Sequence, residues 1–234
     1  MPDFSKRSPD KELLDDPSMP FAAIRQNMKE LNFINRHLGG HAITIAGLKQ
    51  FIKTSDNTTF HIAEIGCGGG DNLAAMYTYL KKHSPELKVQ FTGIDINKYC
   101  LEFAQEQYPN LPATWLHSDY KIASFESQPQ LIFSSLFCHH FQDEDLVFML
   151  QWMKDNATKG FFINDLQRHP IAWGSIKFLS RMFSSSFMVK NDAPLSVLRG
   201  FHKNEWKTLL AQAGIKIYKI EWKWAFRFLL TVRH

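Results

Sequence analysis

Apolar residues recur every three or four positions from Met19 to about His37 (Phe21, Ile24, Met28, Leu31, Ile34, then Leu38), the spacing that gathers them on one helix face. Gly39-Gly40 breaks the pattern, and a second helix is expected through Ile43 to Ile52. From residue 60 the rhythm changes. Short runs rich in apolar, β-branched and aromatic residues predict strands at His61–Gly66, Val89–Asp95, Ala113–His117, Gln130–Leu136, Gly160–Asp165, Ile215–Trp222 and Phe226–Val232. Helical spacing fits Asp71–His83, Lys98–Gln107, Asp143–Asn156 and Lys203–Gly214. Such alternation predicts an α/β fold, a mostly parallel sheet with helices on both faces. The last two strands follow without a helix between them, so they form a hairpin and one of them runs antiparallel.

Two stretches stand outside this alternation. Residues 1–18, with their Pro, Ser and Asp, read as a flexible leader. Between Leu166 and Phe201 lies an insertion of about 35 residues, too long for an ordinary connection, with helical spacing over Ile171–Phe183. The expected organisation is therefore a leader (1–18), an N-terminal helical cap (19–55) and an α/β domain (56–234) carrying a lid insertion (166–201).

A chain of 234 residues with 44% hydrophobic and 21% charged positions can fold as one domain without a metal or disulfide staple. Cys67, Cys100 and Cys138 lie far apart with no CxxC pair, so neither a disulfide framework nor a metal site is expected. The net charge of +4 is scattered rather than blocked, which argues against nucleic acid as a partner. The N-terminus is too polar for a signal peptide, and no apolar run approaches the roughly 20 residues of a membrane span. The cytoplasm, without stable membrane insertion, is the default; nothing sets the oligomeric state. An aromatic content of 14% serves a core and an apolar acceptor pocket equally well.

The candidate chemistry begins at Glu64-Ile-Gly-Cys-Gly-Gly-Gly-Asp71, where the first strand gives way to a helix. Glycine there allows a tight turn and lets a ligand press against the main chain. A dinucleotide fingerprint, G-x-G-x-x-G counted from Gly66, would need glycine where Asp71 stands. What fits is acid-x-G-x-G-x-G. In this, the chain resembles the class I S-adenosylmethionine-dependent methyltransferases. The resemblance implies a Rossmann-like three-layer sandwich with a seven-stranded sheet, and S-adenosyl-L-methionine as cofactor. It also implies that Glu64, Gly66, Cys67, Gly68, Gly70 and Asp71 surround the methionyl and ribose parts of that cofactor. Asp95, ending the second strand, would then hold the ribose hydroxyls, with Ile96 beside it. Asp119 and Tyr120 would lie near the adenine, and Ser134 and Ser135 on strand four would line the reaction site. Asp71 has an equally good reading as a helix cap, and strand-end acids often do no more than that.

After strand four the family's amine- and amide-methylating members show an Asn/Asp-Pro-Pro-Tyr-like motif, whereas this chain reads Ser134-Ser-Leu-Phe-Cys-His-His140. The likeness therefore tilts toward O- or C-methylation of a small acceptor: aromatic, phenolic, quinone or polyketide-like. Asn35–Gly40, Asn164–Arg168 and Asp192–Arg199 are similar to segments of methyltransferases associated with type III polyketide synthases, and the His-His stretch to quinone-biosynthesis enzymes. His140, then His139, are the candidate general bases, because histidine titrates near neutral pH; either could instead only shape the pocket. Asp165, Arg168, Trp173 and Arg36 are candidate acceptor contacts, although Asp165 reads more readily as the structural partner of an arginine such as Arg36 or Arg199. Competing functions are weaker. A nicotinamide oxidoreductase fails on glycine spacing and lacks a Tyr-x-x-x-Lys pair, an RNA or protein methyltransferase would show a basic stripe or recognition domain, and a non-catalytic binding module has no reason to keep both glycine loop and Asp95.

Overall fold

The computed structural model describes residues 2–52 and 59–234. The expected boundary between cap and α/β domain, at 55/56, lies outside the described residues. Two helices come first, α1 (Phe21–His37) and α2 (Gly40–Lys49). The alternating part follows as β1 (Phe60–Ile65), α3 (Asp71–His83), β2 (Val89–Asp95), α4 (Lys98–Gln107), β3 (Ala113–His117), β4 (Leu131–Ser135), α5 (Asp143–Asn156) and β5 (Gly160–Leu166). The insertion forms α6 (Pro170–Phe183) and α7 (Phe187–Arg199), and the chain ends with α8 (Lys203–Gln212), β6 (Lys219–Lys223) and β7 (Arg227–Arg233).

The seven strands make one sheet in the order β3-β2-β1-β4-β5-β7-β6. Pairing is parallel from β3 through β5, and β7 runs antiparallel to both β5 and β6. The period-2 alternation of the strands splits the core in two. Phe60, Ile62, Leu131, Phe133, Phe162 and Leu229 face α2 and α3, whose Leu48, Leu73, Met76 and Leu80 cover them. Ala63, Ile65, Ile132, Phe161, Ile163 and Leu230 face the other way, toward Met149 and Leu150 of α5 and Trp206 and Leu210 of α8. This is the α/β three-layer, Rossmann-like sandwich. Strand order reverses between β1 and β4, where such sheets open a crevice beyond the strand ends.

Two elements depart from expectation. Helix α7 was not foreseen: within the insertion, helical spacing is recognised only over Ile171–Phe183, before Ser184-Ser-Ser186 and Pro194. The serines do punctuate: the Ser186 hydroxyl accepts the Val189 N–H and caps α7, while Pro194 is carried inside that helix. Strand β6 starts at Lys219 instead of Ile215, because Ile215 anchors the turn after α8 in the core and its N–H donates to Leu210 O.

The N-terminal helices and the insertion meet over the strand ends. Glu30 of α1 accepts N–H bonds from Ser185 and Ser186, clamping the α6–α7 turn. Where a flexible leader was expected, residues 4–15 lie as a strap along the α7 and α8 side. Arg168 donates to the carbonyls of Phe4 and Ser5, Ser8 N–H donates to Leu198 O, and the Asp192 carboxylate accepts the N–H groups of Leu13 and Leu14. Among the described residues no helix is long and apolar enough to cross a membrane.

Candidate active site

Four strand ends supply the site: β1 the glycine loop, β2 Asp95, β4 the segment Leu136–Phe141, and β5 Asp165. In the loop, Gly66, Gly68 and Gly70 all take positive φ (64°, 51° and 74°), a region L-residues rarely adopt. Their crowding differs. A Cβ on Gly66 would lie 2.1 Å from the Phe137 ring, and one on Gly70 2.4 Å from Trp115, whereas Gly68 has only the Met28 sulfur at 3.5 Å. Gly66 and Gly70 are thus demanded by packing as well as by the turn. Gly68 alone presents open main chain.

Asp95 is fixed by that main chain. Its Oδ2 accepts the Gly68 N–H at 2.8 Å and its Oδ1 the Asn97 N–H at 2.8 Å. Each oxygen keeps a lone pair for another donor. Burial raises the Asp95 pKa, against the pull of these two bonds. Ile96, next to it, is 72% exposed and offers a bare apolar surface beside the carboxylate. Glu64 lies fully buried; its Oε1 accepts from Asn72 Nδ2 at 3.1 Å, and its Oε2 has no partner. Burial first, then the neighbouring Asp71, holds the Glu64 carboxyl well above its ordinary range. Asp71 opens α3 but caps nothing; its Oδ2 meets His41 Nε2 at 2.8 Å and Asn35 Nδ2 at 3.0 Å. Three acids thus converge on one loop. Arg227 is buried behind them, bonded to Asn35 Oδ1 with its other terminal nitrogen unpartnered, and burial lowers its pKa to about 10.

The other expected residues have these partners in the structure. Asp119 caps a short turn by accepting the Lys121 N–H. Tyr120 is buried among Phe137, Phe141 and Trp152 with its hydroxyl unpartnered. Ser134 is buried against Cys138, and Ser135 accepts from Asn164. Arg168 is fully buried and bonded to Phe4 O, Ser5 O, Gly200 O and Glu205, so its guanidinium faces no acceptor. Trp173 meets Phe4 edge-on with Lys177 over its ring, and Arg36 is exposed at the end of α1. Phe178, Met182, Phe183 and Phe187 point to solvent, while Met188 is buried in the packing of the insertion.

The two histidines are enclosed. His139 is 2% exposed; its Nδ1 lies 2.7 Å from Asp165 Oδ1, and its Nε2 lies 3.4 Å from Glu12 Oε1. Burial opposes charge on this ring, but Asp165 and Glu12 outweigh burial and raise its pKa to about 9. Asp165 thus pairs with His139 and not with Arg36 or Arg199 as expected. Arg199 instead donates to the carbonyls of His139, His140 and Asp10. His140 has Asp15 Oδ1 at 2.8 Å from its Nδ1. With every ring nitrogen turned to a carboxylate, neither histidine offers a free base to an acceptor while the strap is down. Sequence reasoning missed Arg7, Glu12, Asp15 and Phe137. The only signal for Glu12 and Asp15 was the pair of leucines they flank, Glu12-Leu-Leu-Asp15, in a mostly polar leader, and Arg7 had none.

A family profile described as a methyltransferase domain matches residues 62–160, the span from β1 to β5. Solved structures share the fold at low identity. The plantazolicin methyltransferase BpumL in complex with SAH is 22% identical over 87% of this chain and 79% of its own, with a TM-score of 0.60. Human N-acetylserotonin methyltransferase in complex with SAM is 15% identical over 97% of this chain but 60% of its own (TM-score 0.65). Magnesium protoporphyrin IX methyltransferase from Synechocystis, with bound SAH, is 11% identical over 86% of this chain and 87% of its own (TM-score 0.57). No curated protein matches the sequence.

Proposed function

From the premise that this chain carries a methyltransferase domain over residues 62–160, on the class I fold, we propose that it transfers a methyl group from S-adenosyl-L-methionine to a small acceptor of aromatic, phenolic, quinone or polyketide-like character, at oxygen or carbon. The observation that carries the reading is Asp95. Its carboxylate is locked by Gly68 and Asn97 N–H groups, with lone pairs left for two vicinal hydroxyls, beside the exposed Ile96.

The residues present fit the cofactor. Asp95 would bind the ribose, Ile96 would cover one adenine face, and open main chain at Gly68 would let the chain of the amino acid pass. Asp71 and Asp95 beside the loop make it attractive to a cation, and the unpartnered Glu64 Oε2 leaves an acceptor behind it. When bound, the cofactor would supply a sulfonium methyl carbon open to in-line attack by the acceptor, the thioether leaving with the carbon–sulfur electron pair. The protein's part is placement, which alone can lower such a barrier by roughly 7–11 kcal/mol. Support for a small acceptor lies in the neighbours: those named above act, by their titles, on plantazolicin, magnesium protoporphyrin IX and N-acetylserotonin. The cap and the α6–α7 insertion then serve as the lid under which the acceptor sits, and the protein works as a cytoplasmic enzyme of secondary metabolism.

Mass spectrometry after incubation with S-adenosyl-L-methionine and a panel of phenols, quinones and alkylresorcinols tests this directly. A product 14 mass units heavier, about the mass of one CH₂ as methyl replaces hydrogen, is expected with at least one acceptor and is lost in Asp95→Ala. Methylation confined to RNA or protein substrates would overturn the acceptor class.

A further inference from the structure

Over the ends of β4 and β5, three side chains, one from the N-terminal strap and two from mid-chain, turn their donor atoms on one point. Glu12 comes down from the strap; His139 and His140 come up from the turn after β4. One oxygen of the carboxylate and one nitrogen of each ring all lie within 4.8 Å of one another, two of the three residues being buried and the third half-buried. His139 Nε2 is 3.4 Å from Glu12 Oε1, and His140 Nε2 is 3.7 Å from Glu12 Oε2. Charge-assisted hydrogen bonds run at about 2.7–2.9 Å, so these are loose for direct contacts. They are close to the separation of roughly 3.3–3.6 Å between two ligands that each sit 2.0–2.2 Å from a shared tetrahedral cation.

The far sides of the rings carry the stronger point. His139 Nδ1 is held by Asp165 at 2.7 Å, and His140 Nδ1 by Asp15 at 2.8 Å. With Nδ1–H of each ring donating to a carboxylate, a cation that displaces the proton held between His139 Nε2 and Glu12 would meet both Nε2 atoms, and such carboxylate–histidine pairs are how metal-ligating imidazoles are oriented. Three carboxylates, Glu12, Asp15 and Asp165, surround the point. The nearby arginines go elsewhere for the most part: Arg199 bonds the carbonyls of Asp10, His139 and His140, reaching Asp15 Oδ2 only at 3.5 Å, and Arg7 bonds those of His139 and Phe141.

We propose that Glu12, His139 and His140 bind a first-row divalent cation, Zn²⁺ fitting best, which pins the strap to the turn after β4. Two imidazoles and one carboxylate suit Zn²⁺ and its neighbours, whereas Mg²⁺ and Ca²⁺ prefer all-oxygen sets. Three protein ligands leave a position for water or another oxygen. No cysteine takes part and Glu12 is distant in sequence from the adjacent His139 and His140, which is why ligand spacing gave no hint of the site. The proposal stands apart from methyl transfer, since the ion would bind whatever the acceptor is.

Tag-free full-length protein, stripped with EDTA and dialysed, is titrated with Zn²⁺ alone against a chromophoric chelator, and separately with Co²⁺ as a spectroscopic stand-in. One ion per chain is expected, with a Co²⁺ visible band of a four- or five-coordinate site. Glu12→Gln and His140→Ala should each weaken binding tenfold or more, and Asp15→Asn by about tenfold. Circular dichroism separates lost ligation from lost folding, and Glu12→Gln keeps an oxygen that can still accept from the Ser196 hydroxyl of α7. Absence of stoichiometric binding at micromolar metal overturns the proposal, as does one ion per chain that survives Glu12→Gln and His140→Ala unweakened. Either result makes the cluster an ion-pair latch alone.

Discussion

At Glu64 stability and binding pull in opposite directions. Its carboxyl is buried with one oxygen unpartnered, and its pKa stands well above the ordinary value. A carboxyl raised in the folded state holds its proton more tightly there than in the unfolded chain. Its favourable contribution is therefore whole below about pH 4.3 and is lost as pH rises through the folded value. Glu64→Gln removes that loss. It should stabilise the unliganded protein near pH 7.5 by roughly 1–3 kcal/mol while weakening cofactor binding. Urea midpoints of both proteins from pH 5 to 8 check this: the gap should widen with pH, and parallel curves would contradict it. Glycine positions give a second contrast. Gly66→Ala meets Phe137 at 2.1 Å on top of a positive φ and should cost about 2–4 kcal/mol, whereas Gly68→Ala, with nothing nearer than 3.5 Å, should cost only the roughly 1–2 kcal/mol of a left-handed residue. Equal losses in thermal melts would put the Phe137 contact in doubt.

Among elements, the strap is the one whose attachment is testable alone. Arg7 bonds the carbonyls of Arg199, His139 and Phe141, pairs with Asp143 and stacks over Phe201. Arg7→Ala should speed amide exchange across residues 8–15 by about 10–100-fold, a local loss of roughly 1.5–3 kcal/mol, and leave β1 and β4 protected. Unchanged exchange would mean that Arg168 and Asp192 hold the strap without it. This element also marks where sequence reading stops. Strands β1, β4 and β5 and helices α3 and α5 were legible because burial on a sheet or helix face imposes a local period. The glycine loop and Asp95 were legible because turn and acid lie at strand ends a few residues apart. Arg7, Glu12 and Asp15 find their partners on α5, α7 and the β4 turn, and no local pattern expresses such pairing. Helix α7 was hidden by Pro194, whose helix-breaking tendency is overridden by the burial of Met188, Val189 and Val197.

At the scale of the whole molecule, a net charge of +4 surrounds a crevice lined by Glu64, Asp71 and Asp95, so the acids there are local and not a general property of the surface. A ligand that binds only the folded chain stabilises all of it: at 100 times its Kd, S-adenosylhomocysteine should add about 2.7 kcal/mol, or roughly 5–11 °C in a chain of this size. NADH should add nothing. The most direct test of the central claim is calorimetric titration of S-adenosylhomocysteine into the native protein and into Asp95→Ala. One site per chain is expected in the first, and affinity lower by about 10–100-fold in the second, the worth of a charge-assisted bond to the ribose. Failure of the native protein to bind, or equal affinity in the two, would contradict it.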